Sequence, residues 1–271
     1  MRGNKMNRIL RGACAAALVC LAVTPARAQS LGEEQVSTHD SWSDTVRSAV
    51  ANGSFLPLSL TPTVGAAAAQ AAGYAGYDSA NEAAAMTSFA EVRVYGPLAL
   101  RMGARLNEGE EELGPFIAGR VQVLSEAGQG VDGAVAVFYK AEGFDEPEGE
   151  IEVVLSAGKR VGRTLLLGNL VYGQDPEGHE RDGELRAAAL VRLTSSVHLG
   201  VDAQGRFDLG SDRAKLRATN EPTYDFDAGP VLTCALGPIS LGAHFGVSVV
   251  RHLEQSAELG MVALGGLGTA F

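Results

Sequence analysis

Along most of this chain apolar and polar residues alternate with a period of two, and within each run the charges fall on one of the two faces so defined. From Ala83 to Tyr95, one face carries Ala84, Met86, Ser88, Ala90, Val92 and Val94 and the other Glu91, Arg93 and Tyr95. Leu98, Leu100, Met102 and Leu106 then oppose Arg101 and Arg105, and Ile117, Val121 and Val123 oppose Arg120 and Gln122. Val131, Val135, Val137 and Tyr139 oppose Asp132, Phe138 and Lys140, while Ile151, Val153 and Leu155 oppose Glu150 and Glu152. Leu185, Val191 and Leu193 oppose Glu184, Arg186 and Arg192; Val197, Leu199 and Val201 oppose His198 and Asp202; Tyr224 and Phe226 oppose Asp225 and Asp227. Successive side chains of a strand point to opposite sides of its sheet. Each run is therefore predicted to be a strand with one wholly uncharged wall.

Composition narrows the setting. The chain has 271 residues, enough for one large domain, and 46% of them are hydrophobic. Arg2, Lys5, Arg8 and Arg11 precede an apolar stretch from Ala13 to Val23 and then Ala26-Arg27-Ala28, the pattern of a secretory signal peptide over residues 1–28 cut before Gln29. Cys14 and Cys20 fall inside it, so Cys234 remains alone and an internal disulfide is excluded. Five of the 22 basic residues and none of the 32 acidic ones lie before the cut. The remaining 17 basic residues give a net charge of about −15, which argues against nucleic acid as a partner. Beyond the signal, no stretch is long and apolar enough for a membrane helix.

The links between runs alternate in length. Short ones at Gly96-Pro97, Ser125 to Gly130, Gly158 to Gly162, Thr194-Ser195 and Gly237-Pro238 are interleaved with longer polar ones: Asn107 to Gly114, Glu142 to Gly149, Gln174 to Gly183, Phe207 to Thr223 and Arg251 to Ser256. The last run, Leu259 to Phe271, has the uncharged face Leu259, Met261, Ala263, Gly265, Leu267 and Thr269 and stops on an aromatic residue. Signal, alternation, link rhythm and terminal phenylalanine together resemble a bacterial outer-membrane β-barrel, porin-like in general plan. Thr269 departs from that pattern, which usually has an aromatic or large apolar residue two places before the end.

The resemblance implies an all-β, antiparallel, up-and-down transmembrane barrel over residues 63–271, in the outer membrane of a Gram-negative bacterium. It implies short periplasmic turns, longer acidic outer loops, and Phe271 as the signal read by the barrel assembly machinery. A charge facing lipid at mid-depth costs about 2–4 kcal/mol, so such a barrel must keep one face uncharged. Closure with both termini in the periplasm needs an even number of strands, about twelve here, so Thr63 to Tyr77 is expected to be a strand despite a composition suited to helix. Tyr139, Tyr172, Tyr224 and Phe226 fall on the apolar face near the long loops, where an aromatic girdle belongs. A soluble barrel or sandwich is the competing architecture, with the charged faces in water.

Residues 29–62 read as a polar N-terminal segment holding one short helix. Asp40 or Ser41 can cap it, Trp42, Val46, Ala49 and Val50 share a face, and Gly53 ends it. Its alternatives are a periplasmic helix or tail, and a plug inside the barrel anchored by Trp42.

The candidate site is the charged lumen: Glu91, Arg93, Arg101, Arg105, Arg120, Asp132, Lys140, Glu150, Glu152, Glu184, Arg186, Arg192, His198, Asp202, Asp225 and Asp227. A basic wall from Arg93, Arg101, Arg105 and Arg120 facing an acidic one would filter small polar solutes by charge, the expectation for a passive pore. The alternative is a closed structural or surface-interaction barrel whose charges pair with one another. A hydrolase is a second alternative, resting on Ser196, His198, Asp202, Ser248 and on His179 beside Asp175, Glu177 and Asp182. No HExxH or GxSxG motif supports it, and no catalysis or cofactor is expected. The acidic loops EGEEEL from Glu108 and EGFDEPEGE from Glu142 lack the ligand spacing of a calcium loop, so no metal is expected either. Expected partners are outer-membrane lipid, the assembly machinery and small polar solutes.

Overall fold

A computed structural model describes residues 38–64, 67–106, 113–144, 149–178, 180–214, 216 and 222–271. The expected signal peptide, the acidic run from Glu108, the centre of the loop after Glu142 and His179 lie outside the described residues.

An amphipathic helix, α1 (Thr38–Ala51), comes first. It ends where Gly53 takes a left-handed conformation (φ 73°), and the N–H groups of Gly53 and Ser54 close back on the carbonyls of Val50 and Ala49. A Cβ at residue 53 would press on Leu167, so glycine is required there for space as well as for φ. After a turn through residue 55 and a stretch without helix or strand to residue 64, the strands begin. They are β1 (Ala69–Asp78), β2 (Ala83–Tyr95), β3 (Leu98–Leu106), β4 (Leu113–Leu124), β5 (Asp132–Ala141) and β6 (Gly149–Val161), with a one-turn helix α2 (Glu126–Gln129) between β4 and β5. Then follow β7 (Thr164–Gln174), β8 (Arg181–Arg192), β9 (Val197–Asp208), β10 (Pro222–Leu236), β11 (Ile239–His252) and β12 (Glu258–Ala270).

Every strand pairs antiparallel with its sequence neighbour, and β1 pairs with β12, from Gln70 opposite Ala270 to Asp78 opposite Val262, so the sheet is a closed barrel of twelve strands. Closure removes both edges, and with them the unpaired backbone groups that an open sheet would present. The Phe271 N–H donates to Ala69 O (2.7 Å), and its carbonyl accepts from Ala68 N (2.7 Å), extending the seam past the last strand.

Side chains sort by wall. Val92, Leu100, Met102, Ile117, Val137, Ile151, Leu170, Leu185, Val201, Leu232, Phe245 and Met261 are exposed on the outside, whereas Glu91, Arg101, Arg120, Glu152, Glu184, Asp202, Asp225 and Asp227 are buried within. That is the inverse of a soluble barrel, which would bury the first set and expose the second. Tyr139, Tyr172 and Tyr224 stand outward near the long-loop end.

Three readings need correction. Thr63 and Val64 are not part of the first strand; β1 starts at Ala69, and Val64 is still inside the barrel, its N–H held by Gln122 (3.0 Å). Residues 53–62 are not a polar tail. Phe55, Leu56, Leu58 and Leu60 are buried, and alternation was hidden there by Pro57 and Pro62. Tyr95 is not inward: the register between β2 and β3 shifts between Arg93 and Tyr95, the extra residue turns the pleat over, and the ring is 82% exposed.

Candidate functional site: a lumen crossed by its own chain

The interior has two levels. Nearest the short turns lie α1 and the extended segment that follows it. On α1, Val46, Ala49 and Val50 pack with Phe55, Ala72, Tyr74, Phe89, Ala235 and Ala270, and Trp42 stacks on Phe271 (centroids 4.9 Å apart) while its indole N–H donates to Thr269 Oγ1 (3.3 Å). From there residues 53–64 run around the inner wall, dropping one apolar side chain after another into it. Leu56 packs on Leu165, Leu167, Leu190 and Val231; Leu60 on Ala118, Phe138, Val154 and Val171; Val64 on Ala99 and Ala134.

The wall holds the backbone of this segment with buried polar side chains. Asp202, 0% exposed, accepts from Leu58 N (3.0 Å) and Ser59 Oγ. Asn169 accepts from Leu60 N (2.8 Å) through Oδ1 and donates to Leu60 O (2.7 Å) through Nδ2. Arg120 Nη2 donates to Thr61 O, and Arg160 reaches the helix end at Ala51 O (3.2 Å) and Asn52 Oδ1 (2.9 Å). Backbone groups buried away from water need such partners, and an extended chain cannot supply them from within itself.

Beside the segment, Glu91 gathers Arg101 Nε (2.7 Å), Arg120 Nη1 and Gln70 Nε2 (2.9 Å), and the Arg101 guanidinium lies 3.9 Å over the Phe89 ring. The second level, towards the long loops, is a belt of ion pairs: Lys140 with Glu152, Arg186 with Glu184, Arg206 with Asp182, and Arg105 with Glu150 (3.9 Å). The basic and acidic residues thus meet as local pairs rather than as two opposed walls.

Other predicted lumen residues stand apart from both levels. Arg93 and Arg192 are exposed at the short-turn ends of β2 and β8. Asp132 caps the short turn, accepting from Glu126 N (2.8 Å) and Gln122 Nε2 (3.0 Å). Asp225 and Asp227 join Asp78, absent from the sequence-based set, so that one carboxylate oxygen of each lies within 4.8 Å of the others. Ser248 donates to Asp78 (2.8 Å) and Gln204 to Asp227 (3.1 Å). Among the described residues this trio is the group whose oxygens converge closely enough for a hard cation.

Among the described residues, three of the hydrolase candidates are engaged elsewhere or unpartnered. Asp202 is committed to Leu58 and Ser59, Ser248 to Asp78, and neither ring nitrogen of His198 (1% exposed) makes a hydrogen bond; the same is true of His244. The candidate set left out the neutral amides Asn169, Gln122 and Gln70, although Gln122 falls on the same face as Arg120, because the lumen was sorted by charge. An amide set between Leu167 and Val171 on an inward face was the available signal.

The fold is that of the porin-like outer-membrane β-barrels. Among solved structures, the chain is similar to a NanC porin, with a TM-score of 0.53 and 8% identity, and to a KdgM porin, with a TM-score of 0.51 and 6% identity. Each alignment covers 74% of this chain and 99% of the porin. No protein-family model matches the chain, and no curated protein matches it.

Proposed function

We propose that the protein is an outer-membrane barrel of a Gram-negative bacterium that acts as a passive pore for small polar solutes, without catalysis. The observation that carries this reading is the sorting of the closed barrel: an apolar outer wall suited to lipid around a lumen lined by paired charges. The short turns then face the periplasm and the longer loops the medium, and Phe271 serves as the assembly signal. The ion-pair belt at the outer level leaves dipolar rather than singly charged surfaces, which suits hydrated polar solutes more than one sign of ion.

A second reading is favoured by residues 53–64, whose course through the interior suits a closed barrel of structural or surface-interaction role. Planar-bilayer recording with the purified full-length mature chain separates the two. Steady unitary steps support the pore. Their absence at high protein load, with folding confirmed by faster gel migration of the unboiled sample, refutes it.

A further inference from the structure

Residues 53–64 sit in the wall as a ligand sits in a site. Their backbone is recognised by Asp202, Asn169, Arg120 and Gln122, and the side chains of Leu56, Leu60 and Val64, four residues apart, enter three separate apolar pockets. Main-chain hydrogen bonds for affinity and pockets for alternate side chains are the two parts of extended-peptide recognition. Pro57 and Pro62 hold Leu56 and Thr61 to extended backbone, which lowers the entropy lost on seating. The wall meets the segment's backbone through the side chains of Asp202, Asn169, Arg120 and Gln122 rather than by strand pairing, so none of the barrel's own hydrogen-bond ladder depends on these contacts.

We propose that this inner wall is a binding site for an extended apolar peptide, filled in cis by residues 53–64, and that it takes a second peptide of the same chemistry when that segment lifts. The solute class competing for the site is short peptides with apolar side chains at every fourth position. As a statement about solutes it rests on the pore reading, but binding is measured in detergent without any conductance. A barrel that binds peptide and never conducts would therefore sink the pore and leave the site standing.

A segment tethered beside its site competes at a roughly millimolar effective concentration, so the resident must first be weakened. Leu60→Pro in the full-length chain removes the N–H that Asn169 accepts and leaves every barrel residue unchanged. Fluorescein-labelled synthetic peptide of residues 53–64 is titrated into this variant and followed by anisotropy, with unboiled gel mobility confirming the fold. The expected result is saturable binding below about 1 mM, at least tenfold weaker binding to the unaltered chain, and at least a tenfold loss when the peptide itself carries Leu60→Pro, which removes both the hydrogen bond to Asn169 and the leucine side chain from its pocket. A folded variant that binds nothing at about 10 mM, or that binds both peptides equally, overturns the proposal. Should the variant fail to fold, hydrogen exchange on the unaltered chain decides. Leu58 and Leu60 amides exchanging at least a hundredfold faster than that of Leu199 on β9 support a displaceable segment, and equal rates overturn it.

Discussion

Glu91 is the residue on which the inner wall between β2 and β4 turns. One carboxylate serves two guanidinium groups and an amide, and Arg120, 0% exposed, has no water to fall back on. Glu91→Ala leaves two buried cations facing each other, and removal of one partner from such a group costs about 3–5 kcal/mol. The expected outcome is a urea midpoint lowered to match, followed by loss of the compact unboiled gel band; Glu91→Gln, which keeps an acceptor oxygen, loses less. Asp202→Ala acts elsewhere. It strips the acceptor from Leu58 N and Ser59 Oγ, so faster amide exchange at Leu58 is expected while the exchange of β9 and β10 amides stays as it was. At this scale the sequence showed which residues face inward, because each run kept one face free of charge. It could not show pairing, since Arg105 and Glu150 are distant in sequence and meet only through closure and strand tilt.

The elements divide by what the alternation could reveal. Strands β2 to β12 were legible because a period of two with one uncharged face survives over a dozen residues. The N-terminal segment was not, because prolines at 57 and 62 interrupt its alternation and its polar partners are side chains on distant strands. Helix α1 was legible from its i, i+4, i+7 spacing and from Gly53, though not its seat against β10, β11 and β12. That seat depends on Trp42, whose ring meets Phe271 and whose indole N–H meets Thr269. Trp42→Ala is expected to speed proteolytic cleavage between residues 38 and 64 several-fold while the strands stay protected, as read by mass spectrometry of the fragments.

For the molecule as a whole, the outer wall makes the sharpest demand. Leu170 on β7 is half-exposed near mid-height, and Leu170→Arg is expected to cost about 2–4 kcal/mol of folding stability in lipid vesicles, measured by urea unfolding. The same change at an exposed turn residue such as Ala127 is expected to stay within about 0.5 kcal/mol. Closure was legible from an even strand count and a terminal phenylalanine. The occupancy of the lumen was not, since nothing in a periodic pattern says whether the space it encloses is filled.

Strand β12 carries the imprint of that filling. Its outward residues are ordinary, but on the inward face a Cβ at Gly266 would run into the Tyr74 ring, and one at Gly268 into the Phe55 ring at 2.7 Å. These glycines are the mould in which an aromatic from the first strand and another from the N-terminal segment are cast. Positions 266 and 74, and positions 268 and 55, are consequently not free to drift separately. In any set of descendant sequences, a side chain gained on β12 is expected to coincide with a smaller residue at its aromatic partner, and that coupled drift would be legible without a structure.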